Sequence, residues 1–134
     1  MRSGLAALRK MKMDDYVFPF EKLEIWKLAV DLADFILELL ERFPQNKHFR
    51  LIAQMEAAVS SIAQNVAEGK GRQYKKEFIQ YLYIAIGSLF EVLTLTELFT
   101  RRKLINRKEA VTIREQAKII HRKTHSLINT LKKR

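Results

Sequence analysis

The chain has 134 residues, the length of one domain, and folding at that size buries roughly 70% of the surface an unfolded chain exposes. Hydrophobic residues make up 48% of it while glycine (4) and proline (2) are scarce, which disfavours a turn-rich β sandwich and favours long helices. It has no cysteine, so disulfides, thiolate nucleophiles and thiolate metal sites are excluded together. The formal net charge of +10 is uneven: residues 1–68 hold nine basic and ten acidic side chains, residues 69–134 hold sixteen and five. The whole excess lies in the second half, a pattern that points to a polyanionic partner.

At the N-terminus, Arg2, Arg9, Lys10 and Lys12 surround an apolar patch, Leu5 to Leu8, too short for a signal-peptide core. No apolar run approaches a membrane span, so the cytoplasm is the expected location. Met11 and Met13 are alternative starts. Residues 1–18 are expected to be a flexible leader, with 19–134 as the folded domain.

The first predicted helix covers about 21–43 and stops at Pro44, which lacks an amide donor and restricts the residue before it. Two apolar stripes share it. One runs Leu23, Trp26, Val30, Ala33, Leu37, Leu40; the other runs Ile25, Leu28, Leu32, Phe35, Leu39. Asp31, Asp34, Glu38 and Glu41 form an outward acidic stripe, which reads as a solvated face rather than a carboxylate pair set up for acid–base work.

A second helix is expected over 47–68, with Asn46 as N-cap and Leu51, Met55, Ala58, Ile62 and Val66 buried. Gly69 and Gly71 are expected to end it through a left-handed C-cap. No strand precedes these glycines and no Lys-Ser pair follows, so they are not a phosphate loop.

The third helix, about 74–102, is the most apolar. Phe78, Leu82, Ala85, Leu89, Val92 and Phe99 line one face. A second face carries Ile79, Tyr83, Ile86, Phe90 and Leu93, the candidate oligomer interface, with Gly87 and Ser88 leaving room for close approach and Glu91 expected to be partly buried. A wide core stripe would explain the same pattern.

The fourth helix, about 107–132, opens with a capping-box-like Asn106…Glu109 pair. Its seam is Ile113, Ala117, Ile120, Thr124, Leu127 and Leu131, spaced 4,3,4,3,4. Four helices joined by short turns predict an all-α, antiparallel up-down-up-down four-helix bundle.

Several stretches carry a resemblance: FEKLEIWKLA from Phe20 to Ala29, the Phe43-Pro44 turn with Phe49, SIAQNVAEGKGR from Ser61 to Arg72, and KKEFIQYLYIAIGSLFE from Lys75 to Glu91. Over about residues 20–131 the chain resembles the bacterial four-helix-bundle proteins encoded in 23S rRNA intervening sequences. The resemblance implies a ring-shaped homopentamer without catalysis. It also implies a structural role for the family-motif residues Ser61, Asn65, Glu68, Gly69 and Gly71. Asn65 is expected to bond backbone across the turn and Glu68 to pair with a neighbouring cation. The fold is similar, too, to accessory variability proteins of diversity-generating retroelements, basic pentamers that engage a reverse transcriptase and its RNA. Three positions depart from the family pattern: Ala63 stands for a proline, Tyr74 for a capping Ser or Thr, and Glu56-Ala57 for a basic pair.

The basic residues then divide by position. Arg101, Arg102, Lys103, Lys132, Lys133 and Arg134 lie at helix C-termini, where the dipole favours cations by about 0.3–1 kcal/mol each. Lys75, Lys76, Arg107 and Lys108 lie at helix starts, where it does not, which suggests bound phosphate. Arg114, Lys118 and Arg122 repeat at spacing four, so either acids of the first helix neutralise them or they face a polyanion. With Arg72 these seven are the candidate nucleic-acid contacts, RNA favoured. Tyr74 beside Arg72 is a candidate for base stacking, whereas Tyr81 and Tyr83 read as core or interface aromatics. His121 and His125 share a helix face, but Arg122 stands where a zinc-peptidase helix has its glutamate, so neither metal nor cofactor is expected. The alternative to nucleic-acid binding is an accessory or scaffold protein whose partner is a reverse transcriptase or another protein.

Overall fold

The computed structural model of the chain describes residues 16–134; the start codons and most of the expected leader lie outside them. Among the described residues the fold has four α-helices: α1 (Glu24–Leu40), α2 (Phe49–Lys70), α3 (Lys75–Arg101) and α4 (Arg107–Lys133), with a 3-10 turn at Pro19–Lys22. Packing closes in a circle, α1 on α2, α2 on α3, α3 on α4 and α4 back on α1.

The first helix is shorter than periodicity predicts. Leu23 is extended (φ −77°, ψ 123°) and serves as N-cap, so Glu21 and Lys22 belong to the 3-10 turn instead. At the other end, Glu41, Arg42 and Phe43 donate backbone bonds to residues three back. This tightened turn precedes Pro44 and delivers Phe43 into the core, edge-on to Phe99 at 5.0 Å between ring centres.

The core face of α1 draws mainly on one of the two stripes, with Leu40 of the other buried as well. Ile25, Leu32 and Leu39 are buried together with Ala29 and Ile36, while Val30 and Leu37 of the other stripe are exposed. The acidic residues Asp31, Asp34, Glu38 and Glu41 are all exposed, on the side of α1 away from the core.

The N-cap of α2 is His48 in a left-handed conformation (φ 60°), two residues beyond the expected Asn46. Its carbonyl accepts the Ile52 amide at 2.9 Å. Met55, Ala58, Ile62 and Val66 are buried as expected. Gly71 is the C-cap of α2, but not in the left-handed form expected: the helix continues through Gly69 to Lys70, and Gly71 is right-handed at φ −81°. Gly69 instead faces α3, where an added Cβ would lie 2.6 Å from Tyr81 Cβ. Its smallness, not its backbone freedom, is what the fold uses.

The core face of α3 matches expectation residue for residue: Phe78, Leu82, Ala85, Leu89, Val92 and Phe99 are buried. Glu91, however, is exposed, and Gly87 has nothing within 4 Å of a hypothetical Cβ. By length and composition α3 is apolar enough to cross a membrane, contrary to the expectation above, with 39% of its most apolar window buried inside the chain. Its apolar residues are spread over two faces, one fully buried and the other reaching the core through Ile86.

Arg102 caps α3, and the chain leaves through Lys103 at φ 60°. The amides of Lys103 and Leu104 bond to Thr100 O and Phe99 O at 3.0 and 2.9 Å, the paired bonds of a Schellman motif. Asn106 and Glu109 then form the reciprocal capping box of α4, with bonds of 2.8 and 2.9 Å. On α4, Ile113, Ala117, Ile120, Thr124 and Leu131 are buried; Ile128, rather than Leu127, completes the seam.

Candidate nucleic-acid interface

The candidate cations fall in three places. At one end of the molecule the start of α3 lies against the end of α4, because Lys75 Nζ donates to the Arg134 carbonyl. Lys75 therefore needs no external ligand: it sits at the negative end of the α4 dipole. Arg72 is likewise engaged. Its guanidinium lies 4.9 Å from the Tyr81 ring centre, donates to the Tyr81 hydroxyl, and pairs with Glu68 at 3.1 Å. The Tyr81 hydrogen bond, foremost, raises its pKa above an already high ordinary value. Lys76 is exposed.

At the other end, Arg107 lines a hollow of about 450 Å³ with Arg42, Lys103 and Glu109. Glu109 is the counter-charge there, 2.7 Å from Arg42. Its carboxyl is held below the usual range, chiefly by the hydrogen bond from the Asn106 backbone amide and then by Arg42, against a desolvation that works the other way. Lys108 is exposed.

The third place is the flank of α4. Arg114, Lys118 and Arg122 are exposed, and among the described residues none of them forms an ion pair. The acids of α1 do not neutralise this stripe. Ion pairs to α4 are made by other residues, Glu24 of α1 to Lys123 at 3.2 Å and Arg42, just past α1, to Glu109.

Between this flank and α3 the structure assembles a row of rings that periodicity did not reveal. Phe90 lies 5.3 Å from His121, His121 stands edge-to-face on His125 at 4.7 Å, and His125 meets Tyr83 at 6.3 Å. Lys132 closes the row, 5.4 Å from the Tyr83 ring centre and 3.0 Å from its hydroxyl. Beside Phe90 opens a groove of about 380 Å³ flanked by Arg114 and Lys118. The spacing of Arg114, Lys118, His121, His125 and Lys132 on one edge of α4 is legible in sequence. That Tyr83 and Phe90 of α3 meet that edge is not.

The five interface candidates separate. Ile86 is part of the core, Ile79 and Leu93 are half-buried, and Tyr83 and Phe90 are exposed but touch the α4 histidines. Ile84 and Leu98 are further exposed apolar residues of α3, with Gly87 one turn beyond Ile84.

The family-motif residues knit α2 to α3. Ser61 Oγ and Ser88 Oγ are 2.8 Å apart, and Asn65 Nδ2 donates to Ser61 O and Oγ at 2.8 Å each. Asn65 thus braces its own helix instead of spanning the turn. Ala63 is buried in an uninterrupted α2, and Tyr74 makes no side-chain cap for α3.

The fold and this surface define a class: a small all-helical protein built from four helices around one core, with its concentrated charge and aromatic rings on an open flank. Residues 21–126 match the family model described as 23S rRNA-intervening sequence protein. The chain belongs to that family. It is also similar to a crystal structure of a protein of unknown function from the S23 ribosomal protein family of Bacteroides thetaiotaomicron, at 25% identity over 78% of this chain and 97% of that one, with a TM-score of 0.72. Among curated proteins, none matches this chain.

Proposed function

We propose that this is a non-enzymatic, cytoplasmic nucleic-acid-binding protein, an antiparallel up-down-up-down bundle that assembles as a homo-oligomer and holds RNA in preference to DNA on its basic surfaces. The observation that carries the reading is the unpaired stripe Arg114, Lys118 and Arg122. Like charges one turn apart repel by about 0.2–0.5 kcal/mol per pair, and among the described residues none of the three forms an ion pair. Phosphates would offset the repulsion. A ring of identical subunits, five by family resemblance, repeats the stripe and turns weak contacts into useful affinity.

The test is RNA affinity across a salt series. Binding should weaken steeply with salt, and replacing Arg114, Lys118 and Arg122 together by alanine should flatten the log–log slope by about 2, at about 0.7 per phosphate contact on a single strand. Salt-independent binding, or none at low salt, refutes it.

The exposed Ile84, Gly87 and Leu98 face favours a second reading, an accessory protein docking on another protein such as a reverse transcriptase. Co-purification with the product of a neighbouring gene, without RNA, would favour it.

A further inference from the structure

We infer that the α3–α4 groove is a track for single-stranded nucleic acid, with bases stacked on the Phe90–His121–His125–Tyr83 row and phosphates on Arg114, Lys118 and Lys132. This rests on the nucleic-acid reading above and narrows it to one strand form and one site.

Phe90 and Tyr83 are 50% and 44% exposed, beside two half-buried imidazoles. Exposed aromatics on a soluble helix are costly unless something covers them. Here the cover must suit cations too, because Arg114 and Lys118 stand on one side of Phe90 and Lys132 lies over Tyr83. An apolar protein segment would bury these charges without partners. A strand of nucleic acid offers both surfaces at once, since every base has a stacking face and every link a phosphate.

The geometry favours an open strand over a duplex. Arg114 and Lys118 are four residues apart, a rise of about 6 Å, which suits successive phosphates of a single strand or a duplex alike, so the preference for an open strand rests on the rings. Phe90 and His121 line a groove of about 380 Å³, where the stacked interior of a duplex cannot reach them, and His125 and Tyr83 continue the row beyond it. Glu115, on the rim of the same groove, would repel a bare phosphate but can accept a hydrogen bond from an exocyclic base amino group. The groove is therefore built for bases, with phosphates along its cationic edge.

The experiment uses the full chain and one labelled sequence in three forms: single-stranded RNA, the same sequence as single-stranded DNA, and the RNA annealed to its complement. Both single strands should bind about tenfold or more tightly than the duplex, and Phe90→Ala should weaken single-strand binding by about tenfold while leaving duplex binding unchanged. Phe90→Trp should retain binding, and its added indole fluorescence should be quenched by the single strands and not by the duplex. Equal affinity for all three forms, with Phe90→Ala unaltered and Lys118→Ala weakened, overturns the track while leaving the basic-surface reading standing. No binding of any form at low salt removes both. A change in oligomer mass caused by Phe90→Ala would assign the groove to a subunit contact and overturn the track as well.

Discussion

A methyl group placed on Gly69 would lie 2.6 Å from Tyr81 Cβ, so α2 and α3 pack closely where a side chain is missing. Phe78 Cδ1, at 3.0 Å, closes the other side of the same space. Tyr81 Cβ is fixed to its backbone and can retreat only if the helices separate. Gly69→Ala should therefore cost about 1–3 kcal/mol in packing, outweighing the ~1 kcal/mol that alanine gains in helix propensity. Gly71→Ala, whose Cβ would sit 3.5 Å from its nearest neighbour, is the control. A urea midpoint that falls for the first and holds for the second is the expected result.

Lys103 occupies the left-handed position of the Schellman turn that ends α3, at φ 60°. A side chain there costs energy that glycine avoids, although glycine also frees the unfolded chain. The net expectation for Lys103→Gly is a gain of up to about 1 kcal/mol. Thermal unfolding measures it, and a loss would show that the Lys103 side chain makes a stabilising contact of its own.

The capping box at the start of α4 carries a pH signature. Asn106→Ala should lower stability by about 1 kcal/mol. Glu109 has a folded-state pKa below its ordinary value, so between the two values the unfolded chain binds more protons and stability rises with pH. Its contribution is complete above the ordinary glutamate pKa and is lost as pH falls through the lower, folded-state value. The stability difference between the native protein and Glu109→Gln, read from denaturant curves, should accordingly shrink on acidification and stay constant from mildly acidic to neutral pH.

The proposed assembly makes a prediction about mass. Ile86 is a core residue, so a charge there would unfold the chain and say nothing of assembly. Ile84, exposed beside Gly87, is the informative position. Ile84→Asp should leave helicity intact and yield a smaller species in light scattering. A folded variant of undiminished mass would place the subunit contact elsewhere.

Legibility in the sequence followed the range of the interaction. The Asn106–Glu109 box spans three residues and was read in full, bonds included. The core faces of α2 and α3 were read almost completely, because each of those helices has a dominant apolar stripe. On α1, two stripes of similar strength competed, and periodicity had no means of choosing Ile25, Leu32 and Leu39 over Val30 and Leu37. Asn65 was placed wrongly because its partner, Ser61, is one turn back on its own helix and itself bonded to Ser88 of α3.

Among the basic residues the difference is sharper. Sequence located every cation and the sign of each helix end. It could not see that Lys75 reaches the last carbonyl, or that Arg72 is folded onto Tyr81. Both depend on which helix ends meet.

By itself, then, the sequence determined four helices, their approximate limits, most of the core and a strongly basic second half. Those properties arise from interactions within about one helical turn and from the periodicity of apolar residues. Tertiary structure alone decided which stripe of α1 is buried, why residue 69 is glycine, which cations remain unpaired, and that Tyr83 and Phe90 join His121 and His125 in one row. Each of those rests on the mutual rotation and register of packed helices, which side-chain packing across the interfaces sets and no single helix encodes.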